Sequence, residues 1–261
     1  MKNKISIIFV DIDWTIFDHS KNPSEFDFVS IEKLNELHES GTKIFIYTAR
    51  PYHSVEQIHL FDYLKPDGMI LSNGGLIIYK DEILYGSWFD TKVFEDFCNL
   101  ALSLHVNVEG IRPYNAFLIA PEDDAVHSLF IDYPEDVPPV EDFHNQKVIG
   151  AALFAPKELD DIIRPTLPDK MFYFRYHDFG VDVAPLPHDK GEAIKFVLKK
   201  LLINKDEAMA IGDDFADISM FKQVKYSVAM ENGREEVKKS ASFITDTVSN
   251  HGVKKILDKL S

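Results

Sequence analysis

The sequence predicts an α/β protein: a doubly wound parallel sheet into which a second, α+β unit is inserted. Three observations carry this. From Ile5 to Gly75, short runs of β-branched and aromatic residues alternate with amphipathic helical patterns, the rhythm of parallel strands joined by right-handed crossovers. The same rhythm returns after Asp189. Between about Ile77 and Pro185 it gives way to shorter strands, most with a polar side, alternating with two or three helices, as in a sheet open on one face. The core is therefore expected at 1–80 and 186–261, and the insert at 81–185.

Taken in order, Ile5 to Val10 reads as a buried central strand, followed by Asp11, Asp13 and Thr15. In extended chain the i and i+2 carboxylates share a side, close enough to share a cation. A polar connection, His19 to Phe28, leads to a helix with Ser30 as N-cap, an Ile31/Leu34/Leu37/His38 stripe and Gly41 as its stop. Lys43 to Tyr47 is a second buried strand ending at Thr48-Ala49-Arg50-Pro51. A helix is expected over Ser54 to Phe61, and a third strand, Met69 to Leu71, ends at Ser72-Asn73-Gly74-Gly75.

In the insert, Ile83–Tyr85, Ala116–Ile119, Lys147–Phe154, Met171–Tyr176 and Val181–Ala184 read as strands. Helices are expected from Asp90 and over Asp124–Phe130, and Pro134, Pro138 and Pro139 mark an exposed turn. After the insert, Lys190–Leu202 is a strong helix and Ala208–Ile211 a buried strand ending at Gly212-Asp213-Asp214. A helix near Ile218, a strand from Tyr226, a helix over Gly233–Ser240, a strand at Phe243–Thr245 and a last helix near Val253 close the chain.

Composition narrows the function classes. The 261 residues, 45% hydrophobic and 27% charged, suit a soluble globular chain with one large or two smaller cores. Forty-three acids against 28 bases give a net charge of −15, which argues against nucleic-acid affinity and requires a local cation for any anionic substrate. Cys98 is the single cysteine, so no disulfide framework or multi-cysteine zinc site forms, and its amphipathic surroundings predict a buried, inert thiol. The N-terminus lacks a signal-peptide pattern and no apolar run reaches membrane-spanning length. The expectation is a cytoplasmic protein without a membrane partner.

Four core strands end in polar groups: Asp11/Asp13, Thr48, Asn73 and Asp213/Asp214, with Lys190 and Asp217 nearby in sequence. Ligands of open parallel sheets bind outside the carboxyl ends of the strands. Any one of these ends reads equally as a turn or helix cap; four together point to a site. Thr48 alone suits a cap, Lys190 an exposed helix start, and Arg50 a pair with a surface acid.

Asp11-Ile12-Asp13-Trp14-Thr15, Thr48, Lys190 and Gly212-Asp213-Asp214-Phe215-Ala216-Asp217, in that order, resemble the four motifs of the haloacid dehalogenase superfamily. Thr48-Ala49-Arg50, Ser72-Asn73-Gly74-Gly75 and His188-Asp189-Lys190-Gly191 resemble its Cof-type, subfamily IIB sugar-phosphate phosphatases, and the insert falls where their type-two cap does. The resemblance implies a Mg²⁺-dependent phosphatase of a small phosphorylated metabolite, a sugar phosphate foremost; a monomer or weak homodimer is expected. It implies Asp11 as nucleophile, Asp13 as general acid/base, and Asp11, the Asp13 carbonyl and Asp213 as metal ligands. Thr48, Lys190 and the amides of Ile12 and Ala49 would hold the phosphoryl group, with Asp217 and Asp214 behind the metal and Arg50 and Asn73 as further candidates. Burial beside a second carboxylate is expected to raise the Asp13 pKa.

Two positions depart from the family pattern: Trp14 stands where glycine is usual, and Ala216 where the Cof group has asparagine. They leave a catalytically weakened sugar-phosphate sensor open; within the same chemistry, a phosphomutase or a phosphatase of pyridoxal or flavin phosphate is the alternative. A phosphoacceptor receiver domain shares sheet, acids and Mg²⁺ but has adjacent acids, about 120 residues and no cap. Polar candidates in the insert are Glu109, Arg112, Tyr114, Asn115, Arg175, His177 and Asp182, and His188 reads as a loop histidine or a pocket residue.

Overall fold

The computed structural model describes residues 5–131, 136–186 and 189–260. Pro134 of the expected turn and His188 lie outside them. The chain divides into two compact units: Met1–Arg50, Ile58–Leu84 and Asp189–Ser261 form the first, Pro51–Gln57 and Tyr85–His188 the second. Among the described residues no helix is long and apolar enough to cross a membrane.

The chain opens with β1 (Ile7–Val10), a hairpin of β2 (Phe17–Asp18) and β3 (Glu25–Phe26), and α1 (Phe28–Glu39). There follow β4 (Lys43–Tyr47), α2 (Tyr52–Gln57), β5 (Gly68–Leu71), β6 (Leu76–Tyr79) and β7 (Glu82–Gly86). Then come α3 (Thr91–Ser103), β8 (Asn107–Ile111), β9 (Ala116–Leu118), α4 (Asp124–Leu129) and β10 (Gly150–Phe154). Next are α5 (Asp160–Ile163), β11 (Met171–Arg175), β12 (Gly180–Pro185), α6 (Lys190–Lys200) and β13 (Ala208–Gly212). The last elements are α7 (Asp217–Phe221), β14 (Tyr226–Ala229), α8 (Glu235–Ser240), β15 (Phe243–Ile244) and α9 (Gly252–Leu260).

The large sheet runs β15-β14-β13-β1-β4-β5-β6-β7. β1 pairs in parallel with β4 on one side and β13 on the other, with Phe9 opposite Phe45 and Ala210. The chain thus builds outward from β1 in one direction and returns to build in the other. A crevice opens at such a switch point, beside the carboxyl end of β1. Ile7, Phe9, Val10, Phe45, Ile46, Ala210 and Ile211 are all fully buried, which is why these strands read as unbroken apolar runs.

Several local expectations are corrected. Asp27, not Ser30, caps α1 by accepting the Ser30 amide, and Ser30 is buried one turn in. The helix expected at 54–61 is α2 followed by a 3₁₀ turn at Leu60–Asp62. β6 returns antiparallel to β5 inside the core sheet, Ile70 opposite Ile77. The segment around His19, expected as a plain connection, contains the β2–β3 hairpin.

The second unit is a five-stranded antiparallel sheet, β11-β12-β10-β8-β9. Phe94, Phe97, Cys98 and Ala101 of α3 pack with Val108, Phe117, Leu153, Val181 and Val183. Asp90 caps α3 by accepting the Val93 amide. Burial pushes the Cys98 thiol up to about 12, as an inert core residue requires.

Candidate active site

The chain turns sharply after β1. The Ile12 carbonyl accepts the amides of Thr15, Ile16 and Phe17 at 3.2, 2.9 and 2.9 Å, and Trp14 sits at φ +58°. This turn ends the extended geometry that would leave Asp11 and Asp13 equivalent. Asp11 is buried and joins Asp213 and Asp217, one oxygen of each lying within 4.8 Å of the others. The Asp13 carboxylate instead meets Arg50 and His19, so the i, i+2 pair does not converge on one cation through its side chains.

Asp217 is the most constrained of the acids. It is fully buried; Oδ1 accepts Lys190 Nζ at 2.8 Å, and Oδ2 accepts the amides of Asp213 and Asp214 at 2.8 and 3.0 Å. A Cβ at Gly212 would stand 2.2 Å from Asp217 Oδ2. The glycine is therefore what lets the carboxylate close on the loop behind β13. Lys190, in the first turn of α6, is likewise buried, its Nζ 4.1 Å from the centre of the Tyr47 ring. Its helix is capped by Asp189, which accepts the Glu192 amide. A Cβ at Gly191 would meet the Ser219 carbonyl at 2.5 Å, so this glycine lets α6 approach the α7 segment.

The cluster is rich in negative charge. Burial pushes the Asp11 carboxyl well above the usual carboxylate range; Lys190 pulls it back, while Asp217, Asp213 and Asp13 push it further. Burial and then Asp217 and Asp214 push Asp213 up to about 7. Burial works against the Lys190 charge, yet Asp217 and Asp11 hold its pKa above the ordinary lysine value. Three carboxylates around one ammonium are short of positive charge.

Asp13 behaves opposite to its sequence expectation. Burial acts to raise its pKa, but hydrogen bonds from His19 and Arg50, with their charge, hold it well below the carboxylate range. Arg50 Nε lies 2.9 Å from Oδ2 and Nη2 lies 2.7 Å from Oδ1, where His19 Nε2 also bonds at 2.7 Å. The partner of Arg50 is thus the proposed acid/base, not a surface acid. His19 was not legible as a site residue; the hairpin that carries it consists of two-residue strands, too short for a periodic signal. Its Nδ1 bonds Ser24 Oγ at 3.0 Å.

Thr48 is fully buried and its Oγ1 accepts the Arg50 amide at 3.1 Å, the geometry of a turn residue whose hydroxyl hydrogen remains a donor. The Asn73 amide donates to the Thr48 carbonyl at 3.1 Å, which ties the ends of β4 and β5 together. Asn73 itself has φ +53°. Ile12 is buried and Ala49 exposed. Asp214 is exposed and pairs with Arg234 at 3.0 Å. Ala216 precedes α7, and its carbonyl accepts the Ser219 hydroxyl at 3.2 Å.

Within the second unit, Arg112 is tied to Glu141 and Gln146 and covers the Phe117 ring, and Arg175 grips Asp160 and three carbonyls. Both are structural anchors. Asn115 Oδ1 accepts from Arg112, Tyr114 packs edge-on against Tyr52, and His177 Nδ1 accepts the Phe179 amide. Glu109 lies 2.9 Å from His53 Nε2, and burial followed by Glu109 pushes Asp182 up to about 7.

Comparison with known proteins gives the chain its relatives. The family model described as haloacid dehalogenase-like hydrolase matches residues 8–257. The phosphoglycolate phosphatase of Staphylothermus marinus is 29% identical, covering 98% of each chain. A haloalkanoate-superfamily phosphatase of Bacteroides thetaiotaomicron is 26% identical at a TM-score of 0.81, covering 99% of this chain and 96% of that one. A subclass IIB sugar phosphatase is 25% identical at a TM-score of 0.77, covering 97% and 98%. With its motifs gathered at the carboxyl ends of β1, β4 and β13, the chain belongs to the haloacid dehalogenase-like hydrolases and is a phosphoric monoester hydrolase.

Proposed function

We propose that this hydrolase is a Mg²⁺-dependent phosphatase of a small phosphorylated metabolite, a sugar phosphate foremost, working through an aspartyl-phosphate on Asp11, with residues 81–185 as its specificity cap. The observation that carries the reading is the convergence of Asp11, Asp213 and Asp217 oxygens within 4.8 Å beside a buried lysine. An all-oxygen donor set deficient in positive charge suits Mg²⁺, which Asp11, the Asp13 carbonyl and Asp213 would hold. When bound, Mg²⁺ would supply charge to the phosphoryl oxygens and ionise the carboxylates around it.

The chain's own groups divide the remaining work. Asp11 Oδ attacks phosphorus, forming a P–O bond as the ester oxygen leaves with its electron pair. Lys190 and the Thr48 hydroxyl, with the Ile12 and Ala49 amides, hold the charge that develops on the phosphoryl group. Asp217 fixes Lys190 and the Asp213–Asp214 amides, and Asp214 borders that loop. Asp13, held ionised by Arg50 and His19, suits the second half-reaction, in which it accepts a proton from the attacking water as that oxygen bonds to phosphorus and the Asp11–phosphorus bond breaks to free the carboxylate. In the first half-reaction it must carry a proton to the leaving oxygen, which the same two neighbours oppose.

A second reading, a phosphatase of phosphoglycolate, is favoured by the relative of that name. Phosphate release over a panel of phosphorylated metabolites, with and without Mg²⁺, separates the two. Turnover that survives both chelation and Asp11→Asn would sink the mechanism; no turnover of any ester would favour a sensor.

A further inference from the structure

We infer that Trp14 is a substrate-contacting residue that selects phosphomonoesters whose leaving group presents a flat ring face, aromatic or pyranose. The inference rests on the phosphatase reading and adds the shape of the leaving group. Trp14 directly follows Asp13, and its indole packs against the His19 imidazole, centroids 5.3 Å apart. His19 in turn holds Asp13 Oδ1 at 2.7 Å. The ester oxygen must come within hydrogen-bond reach of the Asp13 carboxylate to exchange a proton with it. Through His19 the indole is therefore linked to the carboxylate that the leaving group must reach.

Core packing does not account for the tryptophan. The residue is 39% exposed, and its backbone is in the left-handed region, φ +58°, which a Cβ disfavours. That conformation is pinned from elsewhere: Asn232 Nδ2 donates to the Trp14 carbonyl at 2.8 Å, and Asn232 Oδ1 accepts the Val248 amide at 3.0 Å. A bulky ring held in an unfavourable backbone conformation at the rim of a site points to a use for the ring. Indole is the side chain best suited to lie against another ring's face.

The test compares phenyl phosphate, glucose 6-phosphate and 2-phosphoglycolate in Mg²⁺, by steady-state kinetics and by calorimetric binding to the Asp11→Asn protein. Trp14→Gly should lower kcat/KM for the ring-bearing esters about tenfold, chiefly through KM, and Trp14→Phe should restore most of it. For 2-phosphoglycolate it should change kcat/KM less than about twofold. A loss confined to phenyl phosphate makes the natural face aromatic; one confined to the hexose makes it a sugar. Equal losses on all three esters, or none on the ring-bearing pair, overturn the inference. Binding separates it from the reading beneath it. Ring-selective binding lost in Trp14→Gly, in a protein that hydrolyses no ester, would keep the inference and remove the phosphatase. Hydrolysis without ring selectivity would do the reverse.

Discussion

Arg50 forks onto Asp13, with Nε 2.9 Å from one carboxylate oxygen and Nη2 2.7 Å from the other. The fork fixes the plane of a carboxylate that a point charge would leave free to rotate. Arg50→Ala should lower kcat about 10–100-fold with a smaller change in KM, and Arg50→Lys should recover part of it. The contact also has a pH signature. Asp13 has a depressed folded pKa, so its contribution to stability is present above the unfolded carboxylate value of about 3.9 and is lost as pH falls through the folded value. Melting curves across this acid range should be shallower for Arg50→Ala than for wild type. Identical slopes would mean that the fork does not persist in solution.

Lys190 and Asp217 form a buried ion pair. Removing one partner strands the other charge out of water, which costs about 3–5 kcal/mol. Asp217→Ala should therefore lose about that much stability and nearly all activity, since the Asp213 and Asp214 amides lose their acceptor as well. Gly212→Ala should weaken the same contact from outside: its Cβ would fall 2.2 Å from Asp217 Oδ2, a strain of about 1–3 kcal/mol. Urea unfolding and turnover measured together check both variants. Gly212→Ala with wild-type stability would show that the loop yields without cost.

Legibility followed the length of the local signal. Ile7–Val10, Ile44–Tyr47 and Ala208–Gly212 are buried on both faces, so their apolar runs and the polar residues that follow them stand out. β8 does not: Glu109 and Gly110 interrupt its run, although all five residues are buried. The β2–β3 hairpin was hidden for want of length, and His19 with it. The Asp13 pKa went the wrong way for a related reason. Its two partners, His19 and Arg50, arrive from 6 and 37 residues away in sequence, and no spacing rule connects three separate turns. Motif resemblance could name Arg50 but not its partner.

Asp18 anchors the hairpin that delivers His19. It is buried and accepts the Ser20 amide at 2.9 Å, the Ser20 hydroxyl at 2.6 Å and the Ser249 hydroxyl at 2.5 Å. Asp18→Ala would leave these donors without their acceptor, at about 1–3 kcal/mol. His19→Ala should lower kcat in the same direction as Asp18→Ala, and the double variant should lose little more than the worse single one. Independent, additive losses would mean that Asp18 supports the fold alone.

Asp213 gives the test of the cation. Its pKa of about 7 in the folded chain lies above the unfolded aspartate value. Between about pH 4 and that value the folded state binds more protons than the unfolded one. Stability therefore falls as pH rises through this window when no divalent cation compensates the ionised carboxylates. Mg²⁺ binds the ionised form, so the rise in Tm on adding it should be larger at about pH 8 than at about pH 5. Asp213→Asn removes the charge that causes the loss. It should melt higher than wild type at the alkaline end without Mg²⁺, and gain little when the ion is added. A Tm increment that is equal at both pH values, or that survives Asp213→Asn, would place the ion elsewhere on the chain.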